Sequence, residues 1–317
     1  MKKVFSLFGL CMVFLLALFF SGVQAQAEGS GGYVGPNACK KCHPAEFNAY
    51  ATSVHAKKAV TNSPANNEAC ETCHGPGADH VAKGGGIGVS IFAFNKKTDA
   101  KAKAAKCLAC HAQSKWAAFW SQGKHAREGL ACTDCHSMHH GGWNFLKGVT
   151  GKYDVYNLCF NCHKDIRNMV HKQSHHPILE GKVSCVDCHN PHGTFNRRML
   201  RADNVNELCY KCHPEKRGPF MNEHPPVEEN CLSCHTPHGS NHNKLQTEKI
   251  TILCQNCHAL DGHQTGPFTA FQSFNPPTIG PSNLYASPRV VGRMCTNCHT
   301  NIHGSNFPGE LGETFIR

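Results

Sequence analysis

Twenty of the 21 cysteines in this 317-residue chain fall into ten copies of Cys-x-x-Cys-His. The cysteine pairs are Cys39/Cys42, Cys70/Cys73, Cys107/Cys110, Cys132/Cys135, Cys159/Cys162, Cys185/Cys188, Cys209/Cys212, Cys231/Cys234, Cys254/Cys257 and Cys295/Cys298. Their histidines are His43, His74, His111, His136, His163, His189, His213, His235, His258 and His299. This spacing is the attachment site of a c-type haem. Two thiols add across the porphyrin vinyl groups, and the adjacent imidazole becomes the proximal ligand of the iron. Structural zinc could use the cysteine pairs but gives no reason for a histidine after each. A disulfide framework belongs to shorter chains, and thioredoxin-like chemistry needs one CxxC in a βαβ setting. Ten covalent haems are the reading that uses every motif residue.

Ten motif histidines leave 14 of the 24. A second imidazole on the far side of each iron makes it six-coordinate, low-spin and closed to substrate, which suits electron transfer rather than catalysis. Spacing selects ten candidates for that place: His55, His80, His125, His139, His175, His192, His224, His238, His263 and His303. Four of them, His139, His192, His238 and His303, trail a motif closely. A histidine that near cannot fold back on its own iron, so it is expected to ligate a neighbouring haem. The glycines after three of these, Gly193, Gly239 and Gly304, permit the sharp turn required. Others precede motifs. Aligning Ser174-His175-His176-Pro177 with Glu223-His224-Pro225-Pro226 selects His175 over His176. His140, His171, His176 and His242 are left as solvent-facing or propionate-bonding side chains.

The elements that carry these residues form a repeat. Motifs with a trailing histidine alternate with motifs preceded by leucine (Leu158-Cys159, Leu208-Cys209, Leu253-Cys254), which are expected on short helices. Asn204 with Glu207 resembles a capping box before the second of these. The two-haem units start at Cys132, Cys185 and Cys231, spaced 53 and then 46 residues apart. Helices are predicted over 44–60, 98–108, 155–170 and 204–213, with no sheet pattern. About 29 residues per haem cannot build an ordinary apolar core, so the porphyrins must form it. The expected fold is mostly coil with short α-helices, an elongated multihaem cytochrome c wrapped around a haem chain. The motifs divide into a first pentahaem half, 26–165, and a second, 166–317, within one continuous domain. The lysine-rich stretch 96–106 reads as an exposed helix face or a docking patch. The haem-free stretch 260–294 reads as a packing loop or a partner contact.

Residues 1–25 have the parts of a secretory signal peptide: Lys2 and Lys3, an apolar run from Val4 to Phe20, and Val23-Gln24-Ala25 before the cut. The run is short for a membrane span. Cys11 lies within it and is expected to be removed. The formal charge of +10 becomes +8 without the two lysines. Two propionates and one ferric core charge per haem bring roughly −10 for ten haems. The basic excess is thus compensation for haem, and nucleic acid is excluded as a partner.

Several stretches carry a family resemblance. They are Tyr33-Val34-Gly35, the run from Cys70 through His74-Gly-Pro-Gly-Ala-Asp to His80, the CxxCH-x-Pro-His-Gly units, and the closing run from Cys295 to Asn306. From about 33 to 309 the chain resembles the MtrA/DmsE-type decahaem cytochromes of porin–cytochrome conduits. The resemblance implies a periplasmic electron wire, associated with the outer membrane. It implies an outer-membrane β-barrel porin and an outer-face multihaem cytochrome as partners, and a periplasmic or inner-membrane cytochrome as donor. His140 stands where the family has no second histidine. Two other functions remain open on the sequence: a multihaem periplasmic reductase, which needs an open iron, and an extracellular cytochrome filament subunit.

Overall fold

The computed structural model describes residues 32–151, 154–258 and 293–316. Residues 1–25, read as a signal peptide, lie outside the described residues, as does His263. The described chain is mostly coil with short α- and 3-10 helices, and its only β pairing is a set of isolated bridges. No helix among the described residues is long and apolar enough to cross a membrane.

Three of the four expected helices are shorter than the apolar pattern suggests. The expected helix over 44–60 ends at Ala51. There the Thr52 hydroxyl donates to the Ala49 carbonyl, Ser53 turns extended, and a single 3-10 turn follows at Val54–Ala56. The expected helix over 155–170 divides into Tyr156–Phe160 and Lys164–Val170 around Cys162 and His163. The lysine-rich helix spans Ala100–His111. Val205–Tyr210 is capped by Asn204, whose Oδ1 accepts the Glu207 amide at 2.9 Å. The reciprocal half of a capping box is not made, because Glu207 binds Arg217 at 2.9 Å instead.

Two attachment geometries alternate along the chain. Cys39, Cys107, Cys159, Cys209 and Cys254 lie near the C-terminal ends of short helices. Cys70, Cys132, Cys185, Cys231 and Cys295 instead open a single turn. Three of the latter units share a small antiparallel loop. His136 bridges Leu146, His189 bridges Leu200, and His235 bridges Gln246. The alternation expected for three repeats therefore runs through all ten motifs.

The chain divides into two compact units. One holds the described residues up to Asp99 with Met138–Gly142, and the other holds Ala100–Ser137 with the described residues from Trp143 onward. This is a division by contacts, whereas the pentahaem halves are a division by motif count. Seven apolar side chains are buried among the described residues, and one cluster joins Phe160, Val170 and Ile178. So small a core cannot hold a chain of this length by side-chain packing alone.

Candidate haem-binding site

Local backbone contacts fix each motif. In the turns opened by Cys132 and Cys185, Asp134 accepts the Ala131 amide and Asp187 the Ser184 amide, both at 2.7 Å. In the turn opened by Cys70 the buried Glu71 carboxylate accepts three amides: Val34 at 3.0 Å, Gly35 at 2.8 Å and Gly77 at 2.7 Å. Two of the stretches that carry the family resemblance, Tyr33-Val34-Gly35 and the run from Cys70, are thus joined by one side chain. Asn206 plays a similar part between two later motifs. Its amide donates to the Val227 and Glu228 carbonyls, and its Oδ1 accepts the Cys231 amide, each at 2.8 Å.

Successive motifs meet through their cysteines. Within the first unit the thiols of Cys39 and Cys70 lie within hydrogen-bonding reach. Within the second unit Cys107 meets Cys132, Cys159 meets Cys185, Cys209 meets Cys231, and Cys254 meets Cys295 in the same way. The intervening steps use the second cysteines. Burial pushes the Cys135 thiol up, and the neighbouring Asp134 and Cys162 add to it. Cys188 is raised by burial and then by Asp187 and Cys212, and Cys234 by burial and then by Cys257. The eight motifs from Cys107 to Cys295 therefore form an unbroken succession of neighbours.

Four of the expected attachment cysteines, Cys42, Cys73, Cys110 and Cys298, are placed by their own motifs rather than by that succession. Cys42 and Cys298 are exposed in the first and last motifs, and their amides donate to the Cys39 and Cys295 carbonyls, each at 3.2 Å. Cys110 is exposed in the last turn of the helix Ala100–His111. Cys73 is half-buried in the turn Cys70–His74. It lies near Tyr50, whose hydroxyl is pushed up to about 12 by burial first and then by Cys70 and Cys73. Cys42 and Cys298 have a neighbouring motif on one side only. Cys73 and Cys110 belong to different compact units. None of the 20 motif cysteines, all of them among the described residues, forms a disulfide.

Eight motif histidines face a second imidazole. The pairs are His43/His80 at 6.4 Å between ring centres, His74/His139 at 6.2 Å, His125/His163 at 6.1 Å and His136/His192 at 6.0 Å. The others are His176/His213 at 6.4 Å, His189/His238 at 6.1 Å, His224/His258 at 6.0 Å and His235/His303 at 6.1 Å. Rings at this distance are too far apart for face-to-face contact. Two nitrogens at about 2.0–2.1 Å from one metal, each with its ring centre about 1.1 Å further back, put the centres about 6.2–6.4 Å apart. The residues present therefore fit a haem iron held from both sides.

The pairing follows a rule. His139, His192, His238 and His303 each trail one motif but face the histidine two motifs earlier. The upstream histidines His125, His176 and His224 each face the histidine of the motif after next. His80 faces the first motif. His55 sits in the turn Val54–Ala56, where the Tyr50 hydroxyl donates to its carbonyl at 2.8 Å. The motif histidine His111 ends a helix, and His299 donates from Nδ1 to the Thr314 carbonyl.

At one place the ring that faces a motif histidine is not the expected one. His176, not His175, stands opposite His213. The His175 Nε2 is engaged by Glu180 at 3.1 Å and its Nδ1 by the Lys172 carbonyl at 2.7 Å, which leaves it no lone pair aimed at a metal. The bridge register shows where the sequence alignment slipped. Ser174 pairs with Ser240, and Asn222 pairs with Ser305, so the histidine two residues on is His176 in one copy and His224 in the other. Aligning on the His-Pro step of His176-Pro177 and His224-Pro225 would have found it.

Hydrogen bonds behind the rings prepare them for a metal. Nδ1 donates to a backbone carbonyl in His74 (Phe92, 2.9 Å), His80 (Val89, 2.9 Å), His125 (Pro191, 2.9 Å), His176 (Pro237, 2.6 Å), His189 (Arg198, 2.8 Å) and His235 (Lys244, 2.8 Å). That bond fixes the ring and leaves the Nε2 lone pair for iron. Burial disfavours the charged form of several of these imidazoles. It pushes His136 down to about 4, with His192 adding to it, and His303 to about 4, with Lys216 adding to it. His139, His192, His235 and His238 are lowered for the same first cause.

The glycine after a trailing histidine is required by close approach. A Cβ on Gly193, at φ +114°, would stand 2.5 Å from the Phe119 carbonyl oxygen, and one on Gly304 would enter the Phe220 ring. In the unit with His140 the glycine has moved one place. Gly141 packs on the Thr52 carbonyl and donates its amide to Thr52 Oγ1 at 3.1 Å, while His139 still faces His74.

Known proteins share these motifs. A doubled CXXCH motif family matches residues 175–218 and 224–263, and a cytochrome c-type NrfB-like family matches 70–155. The multiheme cytochrome MtrA of Shewanella baltica is 35% identical over 284 residues, 89% of this chain and 82% of that protein. The chain belongs to the MtrA family of multihaem cytochromes. It binds haem c, and it is an electron-transfer protein. The polyheme cytochrome OmcB of Geobacter sulfurreducens is 27% identical over 61% of this chain, and OmcC of the same species is 26% identical over 56%. The chain spans about a quarter of each of those longer proteins.

Proposed function

We propose that this member of the MtrA family is a decahaem wire in the periplasm, with every iron held by two histidines. The unbroken succession of eight motifs, each neighbouring the next through alternate cysteines, is the observation that carries this reading. The proposed attachment residues are both cysteines of all ten motifs. The proposed distal set is His55, His80, His125, His139, His176, His192, His224, His238, His263 and His303. Bound haem supplies a one-electron ferric–ferrous couple. The chain's own residues would anchor the porphyrins through the thiols, supply both axial imidazoles and exclude a substrate from the iron. For that reason the protein is read as a carrier and not as a reductase.

In the cell, the wire passes electrons from a periplasmic or inner-membrane cytochrome through an outer-membrane β-barrel porin toward an outer-face multihaem cytochrome. The support is membership of the MtrA family together with a site that is closed to substrates. Detergent extraction of the native membrane followed by affinity purification tests the assignment. Co-purification with a β-barrel is expected. Purification as a self-assembled fibre without a barrel would replace the conduit by a filament. A whole-protein mass short of ten haems would overturn the haem count.

A further inference from the structure

The eight imidazole pairs are of two kinds. Six are close to parallel, with interplanar angles from 10° for His235/His303 to 26° for His74/His139. Two are strongly tilted, His125/His163 at 56° and His176/His213 at 46°. Both tilted pairs use an upstream histidine, and in both that histidine donates from Nδ1 to a proline carbonyl, Pro191 at 2.9 Å or Pro237 at 2.6 Å. Each proline stands immediately before the distal histidine of another pair, His192 or His238.

The third upstream histidine is an internal comparison. His224 occupies the equivalent place, but the residue before its neighbouring distal histidine His303 is Ile302. The His224 Nδ1 faces the Ile302 carbonyl without making a hydrogen bond of proper geometry. Its pair with His258 stays at 22°. The tilt thus goes with the bond to the proline carbonyl and not with the upstream position itself.

Resting on the reading that each pair grips one iron, we infer that Pro191 and Pro237 are positioning residues. Their carbonyls turn two distal imidazoles so that the irons of His163 and His213 form an electronic class apart from the other six. A hydrogen bond from the far nitrogen of a ligating histidine fixes the ring's rotation about the metal bond. Near-parallel ligand planes separate the two iron d orbitals that take part in π bonding and give a rhombic low-spin ferric spectrum. Planes far from parallel bring those orbitals close in energy and give a strongly anisotropic spectrum with a large highest g value. The fifth and seventh motifs, each flanked by motifs whose pairs are near parallel, carry the second type.

Low-temperature electron paramagnetic resonance of the ferric holoprotein tests this. Wild type is expected to show strongly anisotropic low-spin signals beside the rhombic ones. His125→Met and His176→Met keep six ligands on iron, recognisable by the near-infrared His–Met band, and each removes one haem's worth of the anisotropic signal. His303→Met removes rhombic intensity only. The double variant Pro191→Ile/Pro237→Ile reproduces the Ile302 arrangement and is expected to move two haems' worth of intensity toward the rhombic form at full haem load. A wild type that is wholly low-spin and rhombic would overturn the inference while leaving two-histidine ligation intact. So would an anisotropic signal unchanged in the Met variants or in the proline double variant. A substantial high-spin signal in wild type would overturn the ligation reading itself.

Discussion

At the scale of single residues, a distal histidine is defined by what its two nitrogens are already doing. His175 spends both on Glu180 and Lys172, whereas His176 spends only Nδ1 and faces His213. His176→Ala is therefore expected to open one iron, seen as a new high-spin ferric signal and carbon monoxide binding after reduction. His175→Ala is expected to leave the spectrum unchanged. Acid should act late. Burial holds His136 and His303 near 4, against about 6.5 for a free imidazole. Between those values the unfolded chain binds protons that the folded chain refuses, so stability falls as pH drops through that window. Iron, which competes with the proton for Nε2, moves ligand loss further toward acid. An optical titration is expected to stay low-spin from pH 7 to about 5 and to turn high-spin only near or below about pH 4. The ten proximal ligands were legible in the sequence because covalent chemistry fixes their spacing. Seven of the ten expected distal histidines face a motif histidine, but which one each faces depends on which chain segments cross, and a one-residue slip at His175/His176 carries no compositional signal.

At the scale of elements, side chains inside or beside the motifs tie distant segments together. Glu71 is the strongest case, with one buried carboxylate serving the amides of Val34, Gly35 and Gly77. An unpaired buried amide costs about 1–3 kcal/mol, so Glu71→Ala is expected to lose on the order of 3 kcal/mol of stability in chemical denaturation of the holoprotein. Gly193→Ala combines a positive φ with a Cβ against the Phe119 carbonyl. A loss of at least about 2 kcal/mol is expected, read in the same experiment. Helix positions were visible in the sequence through leucines and the Asn204 cap. Helix lengths were not, because an attachment turn that must present Cys162 and His163 to a porphyrin overrides the propensity of the residues around it. The motif spacing likewise named Cys42, Cys73, Cys110 and Cys298 as attachment residues, but it treats all ten motifs alike. Which second cysteines meet a neighbouring motif is decided by how the segments cross.

At the scale of the whole chain, the cofactors replace both the core and the countercharge. Seven buried apolar residues among those described are what a chain wrapped on porphyrins retains. The same porphyrins cancel its basic excess, so isoelectric focusing should place the holoprotein well to the acid side of the haem-free chain. Coil with short helices was readable from glycine, proline and motif density. The two compact units were not, since contact boundaries leave no mark as regular as the motifs. The offset between a motif and its second imidazole has a further consequence for how such a chain is made. Synthesis runs from the N-terminus, yet on the proposed ligation the irons of His74, His136, His189 and His235 would each be completed by a histidine that trails the second motif downstream. Every such centre is therefore born unfinished and waits for polypeptide still to come. A premature stop after one of these motifs would leave open the iron beside it and also one already in place behind it.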